Sequence, residues 1–149
     1  MSGEYFDKYL LESDPELLAE VCEALAALIP PGADALAGLE LGGVPLATLL
    51  SQLTRLPARF VRKQAKSYGT CRLAEGGDVA GLRLILVEDV ITSGGQVVAS
   101  CAKLRDRGAR VSDVVCVVDR QQGGREALAA EGLAMHALFT MSDLRTATA

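Results

Sequence analysis

The chain has 149 residues, half of them hydrophobic but only 4% aromatic, and a formal net charge of −4. That length suffices for one domain with a real core, and the acidic balance speaks against nucleic acid as a partner. No apolar run approaches the roughly 20 residues of a membrane span, the opening MSGEYFDKYLLESDPE lacks the regions of a signal peptide, and the single histidine, His136, nearly excludes a His-built metal site or a Ser-His triad.

These features predict a soluble, cytoplasmic protein with no membrane partner. The apolar residues are mainly Ala, Leu and Val, which suits an α/β fold with a buried parallel sheet. Cys22, Cys71, Cys101 and Cys116 match no zinc or redox spacing and read as reduced thiols in or near the core.

In chain order, apolar residues at helical spacing (Leu17, Leu18, Val21, Leu25, Leu28) predict a helix over 14–28, capped by Ser13 or Asp14 and closed by Pro30-Pro31-Gly32. A buried strand over 35–39 leads through Gly42-Gly43 into a helix over 44–53, and a second strand follows over 57–62. Residues 64–80 hold three glycines and little periodicity, and predict a long functional loop with at most a short hairpin. The run LRLILV over 82–87 is the clearest central strand, followed by a helix over 96–107 that Gly108 closes. A strand over 111–118, a helix ending at Glu131 and a strand over 133–139 complete the pattern; His136, on that last strand, reads as structural. Alternating strands and helices predict a mostly parallel central sheet flanked by helices, with right-handed crossovers, in one domain over 1–149.

The segment VEDVITSGG over 87–95 carries the most chemistry. Ligands in open α/β sheets bind beyond the carboxyl ends of strands. There, Thr92, Ser93, Gly94 and Gly95, ahead of a helix beginning at Gln96, offer hydroxyls, close backbone amides and a helix N-terminus to a phosphate. The adjacent acids Glu88 and Asp89 would repel a phosphate but accept hydrogen bonds from sugar hydroxyls. The bland alternative is a helix start after a strand, with solvated acids. Arg62, Lys63 and Lys66 cluster at a strand-to-loop junction, where cations would favour a leaving group gathering negative charge. Taken singly, each reads equally well as part of a solvated basic strand end.

The segment VEDVITSGG resembles the 5-phosphoribosyl-1-pyrophosphate motif of type I phosphoribosyltransferases. With YFDKY, LELGGVPLA, FVRKQAKSYGT and VVDRQQGG in the same order, the whole chain resembles orotate phosphoribosyltransferases. The resemblance implies a type I phosphoribosyltransferase fold, transfer of the phosphoribosyl group to orotate, a Mg²⁺ requirement, and a homodimer in which the Lys66 loop reaches the neighbouring subunit's site. Carried over, Arg62, Lys63 and Lys66 would bind pyrophosphate, and the glycine-rich turn over 38–45 would hold it through backbone amides. Glu88 and Asp89 would hold ribose hydroxyls, and Val90, Ile91, Thr92, Ser93, Gly94 and Gly95, with Gln96 next to them, would wrap the 5-phosphate. Thr92 and Arg120 match positions that contact orotate. Tyr68 stands where the family usually has His. Little of the family's N-terminal cover over the base site has a counterpart in Ser2 to Lys8. Lys8 reads either as a site residue or as a solvated lysine. The competing expectations are a phosphoribosyltransferase for another base and a non-catalytic sensor of the same donor.

Overall fold

The computed structural model describes residues 7–67 and 72–148, so Tyr5, Phe6, Tyr68 and Cys71 lie outside the described residues. Six strands form one sheet in the order β3-β2-β1-β4-β5-β6. They are β1 (Ala35–Leu39), β2 (Ala58–Val61), β3 (Ala74–Glu75), β4 (Arg83–Ile91), β5 (Arg110–Asp119) and β6 (Ala134–Thr140). All neighbours pair in parallel except β3, which runs antiparallel along the free edge of β2. This is the expected mostly parallel sheet; among the described residues the glycine-rich stretch holds one two-residue strand, β3, which pairs with β2 rather than forming a hairpin of its own.

The central strands are apolar on both faces, as a sheet covered on both sides requires. Consecutive side chains in a strand point to opposite faces, and β4 shows it. Leu84 and Leu86 join one core cluster with Val97, Cys101 and Leu104 of α4 (Gly95–Asp106) and Leu128 of α5 (Gly124–Ala130). Ile85 and Val87 join the other, with Cys22 and Leu25 of α2 (Pro15–Ala26) and Leu46 and Leu50 of α3 (Gly43–Thr54). Each fully buried Leu or Ile contributes roughly 1.5–3 kcal/mol by leaving water.

This layering follows from the connections. From β1 the chain passes through α3 to β2 on one side, while from β4 it passes through α4 to β5 on the other. The direction of winding reverses between β1 and β4, and such a switch point opens a crevice at the strand ends. The segments after β1 and after β4 both fall there.

Three details differ from the sequence reading. The strand predicted over 82–87 runs on to Ile91, so Glu88 and Asp89 lie within β4, buried at 9% and 1% exposure. A short helix α1 (Lys8–Ser13) precedes α2, its start capped by the Asp7 carboxylate, which accepts from Tyr9 N and Leu10 N. Six residues are too few to show a period. A last helix α6 (Met141–Thr148) also escaped the periodicity. Thr140 N donates to Asp143 at 2.8 Å and Asp143 N to Thr140 Oγ1 at 3.1 Å, a reciprocal cap that starts the helix. Asp14 caps α2, through Glu16 N and Leu17 N. Among the described residues, Cys22, Cys101 and Cys116 are buried free thiols, and His136 Nε2 lies 2.9 Å from Asp113 Oδ1 across β5 and β6. No helix of the described residues is long and apolar enough to cross a membrane.

Candidate active site

The site begins with the acids of β4. Because neighbours alternate along a strand, Glu88 and Asp89 face different parts of the molecule. Glu88 lines a concavity of about 170 Å³ with residues Val90 to Val97, while Asp89 meets Lys8 and the turn after β1. Backbone amides hold both carboxylates: Asp89 N donates to Glu88 Oε1 at 3.0 Å, and Val90 N to Asp89 Oδ1 at 2.7 Å. Burial, with the neighbouring Asp89, pushes the Glu88 carboxyl well above the usual range.

The concavity beside Glu88 has the make-up of an anion cup. Thr92 and Ser93 are exposed. Gly94 precedes α4 with φ +85°, a backbone that favours glycine, and no side chain caps the helix. The first amides of α4 therefore face the cup unpaired, and the helix dipole adds to them.

The turn after β1 closes the other side. The Glu40–Leu41 peptide is cis. A Cβ on Gly43 would lie 2.1 Å from the Val87 carbonyl oxygen, and one on Gly42 would lie 2.0 Å from Asp89 Oδ2. Glycine at both positions lets the start of α3 press against β4. The Glu40 carboxylate accepts from Lys63 N, tying this turn to the end of β2.

The cations divide. Arg62 and Lys66 converge on Glu75 of β3, at 3.4 and 3.3 Å. The hydrogen bond from Lys66, together with the two positive charges, holds the Glu75 carboxyl below its usual range. The Lys63 side chain is exposed, and its carbonyl accepts from Lys103 Nζ at 2.6 Å. Arg62 and Lys66 thus form a pair beside the crevice, separate from Glu88 and Asp89. Tyr68 lies outside the described residues. Lys8 is not simply solvated: its Nζ is 3.2 Å from Asp89 Oδ2. Burial works against its charge, but the facing carboxylate more than offsets this and raises its pKa.

Arg120 follows β5, its amide donating to Ile91 O at 2.9 Å. Beside it a second concavity of about 400 Å³ is lined by Asp119, Gln121, Gly123, Gly124, Arg125 and Glu126. Gln121 N donates to Asp119 Oδ1 at 2.8 Å, and Arg125 lies 3.6 Å from Asp119 Oδ2. The sequence reading missed Glu12, Glu40, Glu75 and Gln121. Glu40 and Gln121 stood inside quoted motifs, so their position was visible; nothing in the sequence marked Glu12 or Glu75.

Among the described residues no cluster of three or more His, Cys, Asp or Glu could hold a metal ion. The acids at the crevice offer only hard oxygen donors, which suit Mg²⁺.

The family model described as phosphoribosyl transferase domain matches residues 11–131. The orotate phosphoribosyltransferase of a Nocardioides species is 54% identical over 144 residues, covering 97% of this chain and 80% of that protein. That of Halobacterium salinarum is 46% identical over 140 residues, covering 94% and 79%. Among solved structures, the orotate phosphoribosyltransferase of Aeropyrum pernix superposes with a TM-score of 0.85 at 29% identity, covering 95% of this chain and 81% of that one. The Mycobacterium tuberculosis enzyme in complex with 5-phospho-α-D-ribosyl 1-diphosphate gives 0.81 at 30% identity, covering 94% and 82%. With the phosphate-type cup, the buried acids and the glycine turn at one switch point, and relatives of this similarity along almost the whole chain, the chain belongs to the orotate phosphoribosyltransferase family.

Proposed function

We propose that this chain transfers the 5-phosphoribosyl group from 5-phosphoribosyl-1-pyrophosphate to orotate, giving orotidine 5′-phosphate and pyrophosphate, a step toward UMP. The observation that carries this reading is the junction at the end of β4, where a buried acid and an uncapped helix N-terminus share one concavity. A sugar phosphate needs both, acceptors for its hydroxyls and donors for its phosphate. The Mycobacterium tuberculosis relative, named for orotate and solved with this donor, supports the same substrates here.

In this reading Val90, Ile91, Thr92, Ser93, Gly94, Gly95 and Gln96 wrap the 5-phosphate, and Glu88 and Asp89 hold the ribose hydroxyls from two sides. The turn over 40–43 lines the pyrophosphate path. Arg62 and Lys66 exchange Glu75 for the pyrophosphate, with Lys63 and Tyr68 on the same segment. Arg120 pairs with the orotate carboxylate, next to Thr92, and Lys8 steadies Asp89. A bound Mg²⁺ would offset charge on the leaving group.

The bond from C1 to the pyrophosphate oxygen breaks first, its electron pair leaving with pyrophosphate, and C1 becomes oxocarbenium-like. Asp89 lends negative charge beside the sugar, and Arg62 and Lys66 stabilise the departing anion. A ring nitrogen of orotate then forms the new bond from the opposite face, its N–H proton leaving with the pyrophosphate. No residue acts as a covalent nucleophile. The reading includes a cytoplasmic enzyme and a homodimer in which the Lys66 segment serves the partner's site.

The test is product formation followed by ultraviolet absorbance with orotate, donor and Mg²⁺. Turnover with orotate, and none with uracil, hypoxanthine or adenine, is the expected result. Turnover with another base alone would overturn the acceptor, and no turnover with any of the four would overturn the activity.

A further inference from the structure

We propose that Glu12 is a positioning residue for the sugar end of this site: its carboxyl shares a proton with Asp89 and, together with Lys8, fixes the Asp89 carboxylate for the ribose hydroxyls. The proposal deepens the reading above and rests on it for the identity of the donor.

The argument starts with α1. Lys8 and Glu12 are four residues apart and share one face of that helix. Lys8 reaches Asp89, so the same face brings Glu12 against it. Asp89 is 1% exposed. Its Oδ1 accepts from Val90 N, while its buried Oδ2 has no hydrogen bond beyond the ion pair with Lys8 Nζ at 3.2 Å. Glu12 Oε1 is likewise buried without a hydrogen-bond partner. Ionised carboxylates only accept, and two of them in contact are stable only when they share a proton.

The charges around Glu12 point the same way. The groups that bear on it are Lys8 on its own helix, Asp89 on β4, and the Cys22 thiol on α2, with Glu88 beyond Asp89. Burial, then the charge of Asp89, pushes the Glu12 carboxyl up to about 7, with Lys8 working in the opposite direction. Burial, with Glu12 adding to it, pushes the Cys22 thiol up to about 11, so Cys22 supplies no charge near neutrality.

The consequence for binding follows from the proton. While Glu12 holds it, Glu12 donates to Asp89, and the pair carries one negative charge opposite Lys8. When Glu12 ionises, a second negative charge faces both Asp89 and an incoming polyanion. Asp89 loses its donor and the donor substrate meets repulsion.

The test compares wild type with Glu12→Gln and Glu12→Leu. Infrared titration of the ligand-free proteins should show a carboxyl band lost near pH 7 in wild type and absent from both variants. Calorimetry with phosphoribosyl pyrophosphate and Mg²⁺ at about pH 6 and about pH 8 reads the coupling, and Glu12→Gln carries the donor's own phosphate titration as a control. Wild type should lose roughly tenfold more affinity across that interval than Glu12→Gln, whose amide donates at both pH values. Glu12→Leu should bind weakly at both. Equal losses in wild type and Glu12→Gln, or an infrared band unchanged by the substitutions, would overturn the proposal. Absent donor binding in all three proteins, with the infrared band as expected, would overturn the donor reading and the positioning role but leave the shared proton established.

Discussion

Gly42 and Asp89 occupy adjoining space: a Cβ on Gly42 would fall 2.0 Å from Asp89 Oδ2 and 2.3 Å from its carboxyl carbon. The turn after β1 and the acid of β4 thus hold one another in place. Gly42→Ala should displace the carboxylate and weaken donor binding by about tenfold or more, with a smaller loss of thermal stability than Gly43→Ala, since the clash is with the end of a side chain rather than with backbone. Gly43→Ala meets the Val87 backbone oxygen at 2.1 Å instead, and the central strand cannot turn away. It should cost about 1–3 kcal/mol of stability or more. Calorimetry and thermal unfolding of the two variants separate these outcomes; equal effects on both readouts would contradict the assignment.

Lys66→Ala should lower turnover on the order of 10²-fold while leaving the circular dichroism spectrum unchanged, as expected for one lost donor to a developing anion. Full activity in that variant would remove the segment from the reaction. In the proposed reaction Glu75 would compete with pyrophosphate for the same two cations, so Glu75→Gln should tighten pyrophosphate binding. The gain should be modest, about fivefold at most, because exposed ion pairs contribute little.

Gln121, just after β5, fastens the start of α6, which in the proposed reading lies on the acceptor side of the site. Its Oε1 accepts from Ser142 N at 2.9 Å and from Ser142 Oγ at 2.6 Å, and its backbone sits at φ +59°. Gln121→Ala removes both bonds and should raise the KM for orotate several-fold, with a smaller change in the KM for the donor. Steady-state kinetics with each substrate varied in turn would check the difference.

The buried acids also set a pH dependence. The folded-state pKa of Glu12 is raised from 4.5 to about 7, so its contribution to stability is full below pH 4.5 and is lost as pH rises through about 7. Glu88 is raised as well, chiefly by burial, and extends the loss to higher pH. The melting temperature of the ligand-free protein should therefore fall across the neutral range, and Glu88→Gln should flatten the alkaline part of the fall.

The parallel core was legible in the sequence because LRLILV and VVCVV admit no polar face, and the glycine-rich turns punctuated them. The site was legible where chemistry is local: VEDVITSGG holds its acids, hydroxyls and glycines within nine residues of chain. What escaped depended on contacts between distant segments. The run of β4 to Ile91 was hidden because two acids look like the end of a strand until parallel pairing with β5 carries them inward, Glu88 opposite Cys116. Glu12 and Glu75 are ordinary surface acids in one dimension. Only the docking of α1 on β4, and of β3 on β2, gives each its partner. Lys63, by contrast, looked equal to Arg62 and Lys66, yet its side chain turns to solvent.

The projection of Glu88 and Asp89 to different sides has a mechanical consequence. In the proposed reading, a sugar seated at the tip of β4 would be held by the two helical layers through separate fingers. A disturbance in the layer of α1 and α3 would reach the sugar through Asp89, and one in the layer of α4 through Glu88. Exchanging the order of the two acids would keep composition and charge but hand each layer a finger of the wrong length.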